Sequence, residues 1–217
     1  LACQMGADRR GELAELARRH DLAIIENDIL NVMIADRPPA FAALAPERVL
    51  HICGFTKITV PGLRLAYLSA PPRHATAVAN RHLVANWMAT PPMVDLLSHW
   101  VQDGTVAELA GWQRQAMAAR HAIAAEVLGP LKPDSHPHSL HLWLRLPEGR
   151  SEEAFVAEAR NLGVAVAAGS AFRATEKGRH DSVRVSLGST HAGELRHGLS
   201  ILSALLTEAS EPPLPAI

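Results

Sequence analysis

Between Val49 and Leu68 the sequence reads as strand, lysine, Pro-Gly turn, arginine, strand, an order that folds the chain back on itself around two cations. Val49 to Ile52 is a strand-like apolar run, and Pro61-Gly62 is a turn signal. Lys57 follows the first run and Arg64 opens the second. Lysine is scarce here: of 21 basic residues only Lys57, Lys132 and Lys177 are lysines, so one beside an apolar strand stands out. Partial desolvation lowers a lysine's preference for the charged form. The neutral amine is the form that attacks a carbonyl to make a Schiff base. An arginine nearby suits a phosphate, because its planar fork gives two parallel charge-assisted hydrogen bonds. Spacing alone leaves a second reading open, a surface lysine at a strand end with an arginine in an ordinary salt bridge.

The rest of the chain has room for such a site. Its 217 residues suffice for one large domain or two small ones, and 48% apolar content supports a core. A net charge of −1 gives no basic footprint for nucleic acid or a membrane surface. Two cysteines, Cys3 and Cys53, make no disulfide framework, which suits a reducing cytoplasm. No apolar run reaches the ~20 residues that span a bilayer, and the start reads as no signal peptide. The twelve histidines form no ligand-spaced cluster, so no metal site is expected, and His136, His138 and His141 read as surface.

Periodicity predicts a helix over 8–20, with Asp8 first and basic residues last, then a strand at Leu22–Ile25. The polar cluster Glu26-Asn27-Asp28 follows. It is either a solvated strand exit or part of a site, since ligands of α/β sheets bind at carboxyl ends of strands. Residues 73–103 are helical with a break at Pro91-Pro92, and 105–128 form a long alanine-rich helix ended by Pro130 and Pro133. Strands are expected at 139–146, Val164–Val166 and Ser182–Leu187. A helix starts at Ser151 and stops at Gly163, and an amphipathic helix covers His191–Ala209. Arg184 sits centrally in its strand. There it either faces solvent or grips a carboxylate in bidentate fashion.

An amine beside a phosphate clamp is what pyridoxal phosphate (PLP) requires. Phe55-Thr-Lys57 with Pro61-Gly-Leu-Arg64-Leu-Ala-Tyr67 resembles the S-F-[ST]-K … P-G-L-R-[LI]-G-[YF] block of fold-type I, class I/II aminotransferases. The segment from Gly163 to Gly188 is similar to that family's G-V-x-V-x-P-G-x-x-F … [IL]-R-[LV]-[SN]-[LF] segment. The resemblance implies that Lys57 carries PLP as an aldimine, Arg64 holds its phosphate, and Arg184 binds the α-carboxylate of an amino acid. It also implies a fold: an α/β chain comprising the C-terminal part of a PLP-dependent transferase large domain, a mixed sheet with flanking helices, over 1–103. A linking helix and small α+β domain follow over 104–208, then a disordered tail over 209–217.

Four departures accompany the resemblance. The family's pyridine-binding aspartate falls on Asn27, with Asp28 adjacent as a substitute, and its phenol-binding tyrosine falls near Leu30. A neutral asparagine bonds the ring nitrogen without stabilising a pyridinium. The phosphate-binding serine is Gly54, leaving Thr56 as the hydroxyl partner. The family's first half, with its phosphate cradle, stacking aromatic and N-P-x-G motif, is expected to be missing, since Leu1 to Arg10 resembles the segment just after that motif.

Trp87-Met-Ala-Thr-Pro-Pro92, His99 to Thr105, Gln113-Arg-Gln115, Arg120 and His141 to Pro147 resemble one branch, the aminotransferase-like domain of MocR/GntR-type transcriptional regulators. That resemblance implies an effector-sensing, PLP-binding domain, a homodimer that answers to an amino acid or amine. DNA contact would come only through a winged helix absent from this chain. The alternatives are a working amino-acid transaminase, with Lys57 also moving the proton, and a remnant that binds nothing.

Overall fold

A computed structural model of the chain describes residues 4–28, 30, 33–34, 36–173, 181–188 and 190–207. The expected tail at 209–217 lies outside the described residues. The chain forms two compact units, Gln4–Arg114 and the described residues from Gln115 onward, and each carries a three-stranded sheet.

The N-terminal unit starts with α1 (Ala7–Arg19), whose first turn holds Asp8 and last turn Arg18 and Arg19, as the helix dipole favours. Its buried residues are Ala14 and Ala17. Ala14 forms a small core with Ala45 and Val49, on which Ile24, Phe41, Ala42 and Leu44 pack. Strand β1 (Ile24–Asn27) lies parallel to β2 (Val49–Gly54), with α2 (Phe41–Leu44) between them in sequence. Strand β3 (Ala66–Ser69) pairs antiparallel to β2, giving the order β1-β2-β3.

β1 begins two residues later than the apolar run Leu22–Ile25 predicts. Leu22 N donates to Ala17 O at 2.8 Å, so Leu22 belongs to the exit of α1, and the ladder opens with Ile24 N on Arg48 O at 2.9 Å. The helical stretch after β3 divides into α3 (Pro72–Asn86) and α4 (Pro91–Gln102). Pro91 and Pro92 stand in the first turn of α4, where a missing N–H costs nothing. Helix α5 (Thr105–Leu128) follows, and the division between the units falls within it.

In the C-terminal unit β4 (His141–Arg145), β5 (Ala167–Ala168) and β6 (Ser182–Ser186) form an antiparallel sheet in the order β4-β6-β5. Helices α6 (Glu152–Asn161) and α7 (Ala192–Thr207) complete the unit. Leu142, Leu144, Phe155, Val183, Leu199 and Leu202 are fully buried, the alternate residues of β4 and the apolar stripe of α7 among them. Ser151 caps α6 by accepting from Ala154 N at 3.3 Å. Gly163, at φ 83°, takes the left-handed step that ends it. Val164 N then bonds Ala159 O at 2.8 Å, which draws Val164 into the helix exit, so β5 forms at Ala167–Ala168 and not at Val164–Val166. No helix among the described residues is long and apolar enough to cross a membrane.

Candidate functional site

β1 and β2 run the same way, so their carboxyl ends share an edge of the sheet. Asn27 is the last residue of β1, and the turn after Gly54, the last residue of β2, carries Thr56 and Lys57. Ala66 opens β3 opposite Gly54, so Arg64 enters the sheet at that same edge. Five expected site residues, Asn27, Asp28, Thr56, Lys57 and Arg64, are therefore gathered at the edge where α/β sheets receive ligands.

Local packing fixes the turn. Phe55 and Ile58 are buried, and Phe55 O accepts from Ile58 N at 3.0 Å and from Thr59 N at 2.9 Å. Thr59 Oγ1 donates to the same carbonyl at 2.8 Å. Phe55 also meets Tyr67 of β3 edge to face, with ring centroids 5.3 Å apart. With its neighbours at 55 and 58 turned inward, Lys57 is exposed. The partial desolvation expected for its amine is not found in this chain.

Arg64 is also exposed and takes a left-handed backbone, φ 51° and ψ 36°. For a residue with a Cβ this costs about 1 kcal/mol or more. Among the described residues neither Lys57 nor Arg64 has a hydrogen-bond or ion-pair partner. Two unpartnered cations at one strand edge make a receptacle for an anion.

The polar cluster at the end of β1 splits by role. Glu26 accepts from Arg10 Nη1 at 3.0 Å and from Ala42 N at 3.2 Å, tying α1 and α2 to the strand. Asp28 accepts from Arg37 Nη1 at 2.5 Å and pairs with His51 Nε2 at 3.0 Å. Burial pushes the Asp28 carboxyl up, but the Arg37 and His51 hydrogen bonds outweigh it and hold the group below the ordinary aspartate range. Both carboxylates are thus half-buried and engaged, and neither is a solvated strand exit. Asn27 between them is exposed. The roles of Arg37 and His51 leave no mark in sequence spacing, because both contacts are non-local.

Arg184 belongs to the other unit. It lies in the middle of β6 between Trp143 of β4 and Ala167 of β5. Val183 and Val185 point into the core, and the half-buried Arg184 occupies the opposite face. Its guanidinium stacks over the Phe172 ring at 4.3 Å, and Phe172 meets Trp143 edge to face at 5.4 Å. Among the described residues it has no acidic partner, so its hydrogen-bonding fork is available to a carboxylate. No group of three or more histidine, cysteine or acidic residues placed to hold a metal occurs among the described residues.

No protein-family model matches the chain. The solved structure of a Pyrococcus horikoshii kynurenine aminotransferase, in complex with PMP, kynurenine and its product, superposes with a TM-score of 0.88 over 97% of this chain and 54% of its own, at 20% identity. The chain has the fold of the type I PLP-dependent aminotransferases. This aminotransferase-like chain is 26% identical over 205 residues to an uncharacterised HTH-type transcriptional regulator of Bacillus subtilis, YdeF, covering 94% of itself and 44% of that protein. It is 25% identical over 208 residues to a 2-aminoadipate transaminase of Thermus thermophilus, covering 91% and 52%. The chain thus spans about half the length of the curated relatives it matches.

Proposed function

We propose that this chain is the PLP-binding, effector-sensing aminotransferase-like domain of a GntR/MocR-type transcriptional regulator, with the cofactor attached through the Lys57 amine. The observation that carries the reading is the composition of the strand edge: the cations Lys57 and Arg64 have no partner among the described residues, while the group at the ring-nitrogen position is the neutral Asn27. That donor set fits an anionic aldehyde such as PLP. Lys57 supplies the amine, Arg64 the phosphate contact, Thr56 a hydroxyl, and Asn27 a hydrogen bond to the ring, with Asp28 beside it held by Arg37 and His51. Arg184 takes the carboxylate of an amino-acid effector, whereas an amine effector would leave it unused. PLP when bound supplies an electron sink, and an uncharged partner for its ring nitrogen weakens that sink. Strong recognition with weak electronics suits a sensor. The similarity to HTH-type regulators supports the same reading.

In the longer protein we place DNA contact on a winged helix outside this chain, cofactor attachment on residues 1–103, a small domain on 104–208, and the whole in a cytoplasmic homodimer. A second reading, a working amino-acid transaminase in which Lys57 also moves the substrate's proton, is favoured by the similarity to 2-aminoadipate transaminase.

The test is an absorbance titration of the full-length parent and of this chain with PLP, repeated with Lys57→Ala. A band at the edge of the visible that the substitution removes is the expected result. Its absence from the parent would remove Lys57 from the proposal. Adding an amino acid with a 2-oxo acid then separates the two readings: binding without turnover supports the sensor, turnover the transaminase.

A further inference from the structure

Among the described residues Glu152 is the one buried carboxylate, 5% exposed in the first turn of α6. An ionised carboxylate so placed is costly unless its oxygens are engaged, and here they are. Oε2 accepts from Ser170 N at 2.8 Å, and Oε1 accepts from Ser182 N at 3.1 Å and from the Arg173 guanidinium. These partners are not scattered. Ser182 opens β6 two residues before Arg184. Ser170 and Arg173 bracket Phe172, whose ring lies under the Arg184 guanidinium. The same junction is tight at Gly169, where a Cβ would come within 2.5 Å of Ser182 Oγ, 2.7 Å of Ser182 O and 3.2 Å of Glu152 Oε1. One carboxylate thus fixes both the strand that carries the Arg184 backbone and the turn that carries its stacking partner.

We propose that Glu152 is a positioning residue for Arg184, setting the direction in which the guanidinium meets the α-carboxylate of an amino-acid ligand. This rests on the carboxylate-grip reading of Arg184. Glu152 holds the geometry without touching the ligand, and a geometric requirement of this kind is steep because misplacement by a fraction of an ångström costs bidentate contact.

The test uses the full-length parent loaded with PLP, with Glu152→Gln and Arg184→Ala. The first readout is the rate of phenylglyoxal modification at Arg184, mapped by peptide mass spectrometry against exposed Arg81 as an internal control. Glu152→Gln is expected to raise the Arg184 rate severalfold and leave Arg81 unchanged. The second readout compares L-leucine with 3-methylbutylamine, which has the same side chain and amine but no carboxylate. Glu152→Gln is expected to weaken the spectral response to leucine about tenfold and leave the amine within about twofold.

If Glu152→Gln does not fold, Glu152→Asp withdraws the carboxylate by one methylene while keeping its charge, and the same pattern is expected. Unchanged Arg184 reactivity in a folded variant overturns the inference, whether or not leucine is a ligand. Loss of the leucine response in Arg184→Ala together with a normal response in Glu152→Gln overturns it and spares the grip reading. A normal leucine response in Arg184→Ala overturns the grip reading and, with it, the purpose assigned to Glu152.

Discussion

Asn27 is the residue on which sensor and transaminase diverge. At the end of β1 an amide can donate or accept one hydrogen bond to a pyridine nitrogen, whereas a carboxylate also pairs with its protonated form. Asn27→Asp in the full-length parent should therefore raise the rate of spectral conversion by an amino acid about tenfold or more. An unchanged rate would mean that the ring nitrogen lies elsewhere. Glu26, one position earlier, makes the opposite kind of prediction. Its side chain and that of Arg10 are only 9% and 13% exposed, so Glu26→Ala leaves a mostly buried guanidinium with only the Pro39 and Met5 carbonyls as hydrogen-bond acceptors and frees Ala42 N. A loss of about 2–3 kcal/mol is expected from urea unfolding of this chain. No loss would show that the two carbonyls satisfy Arg10 by themselves.

At the scale of elements, local chemistry was legible wherever one signal decided the outcome. Ser151 reads as a cap and is one. Ser151→Ala should cost about 1 kcal/mol in thermal or urea unfolding, and Ser151→Asp should restore it; equal stability of all three would deny the cap its role. The alanine-rich run of α5, the periodicity of α7, the break at Pro91-Pro92 before α4 and the strand before Lys57 were equally plain. What sequence could not place were the strands whose limits depend on a partner. β1 and β5 both moved toward the C-terminus, because Leu22 and Val164 are taken up as helix exits. The site divides the same way. Lys57 and Arg64 lie in one continuous motif and could be read together. The engagement of Asp28 by Arg37 and His51, the exposure of Lys57, and the Glu152–Phe172–Arg184 relay arise from contacts between elements, and no local pattern encodes them.

Over the whole molecule, acid should act on the two units in different pH windows. In the C-terminal unit His121 Nε2 must donate to Ser139 O at 2.8 Å, since a carbonyl can only accept, which leaves Nδ1 to the Ser135 hydroxyl at 3.2 Å. His136 Nδ1 accepts from His138 N at 3.2 Å and so needs its lone pair. His138 Nδ1 is itself buried, with no hydrogen-bond partner among the described residues. Burial first, and then the neighbouring imidazoles, hold His121 and His136 below the ordinary value of 6.5. The unfolded chain therefore takes up these protons before the folded one. Stability is full above about pH 6.5 and falls as pH drops through the depressed folded values, by up to about 1.4 kcal/mol per pH unit for each proton. Asp28 in the N-terminal unit has the carboxylate sign: its folded value lies below 3.8, so its contribution survives until pH falls past that range. As pH falls below about 6.5 the histidine cluster thus weakens the C-terminal unit, while the Asp28 carboxylate keeps its charge until pH nears 3.8. Hydrogen exchange followed by mass spectrometry, corrected for the intrinsic pH dependence of exchange, should show protection falling there first. His121→Gln with His136→Gln should flatten the decline. Loss of protection in β1 and β2 ahead of β4 and α7, or an unaltered slope in the double variant, would remove the cluster as the origin of acid sensitivity.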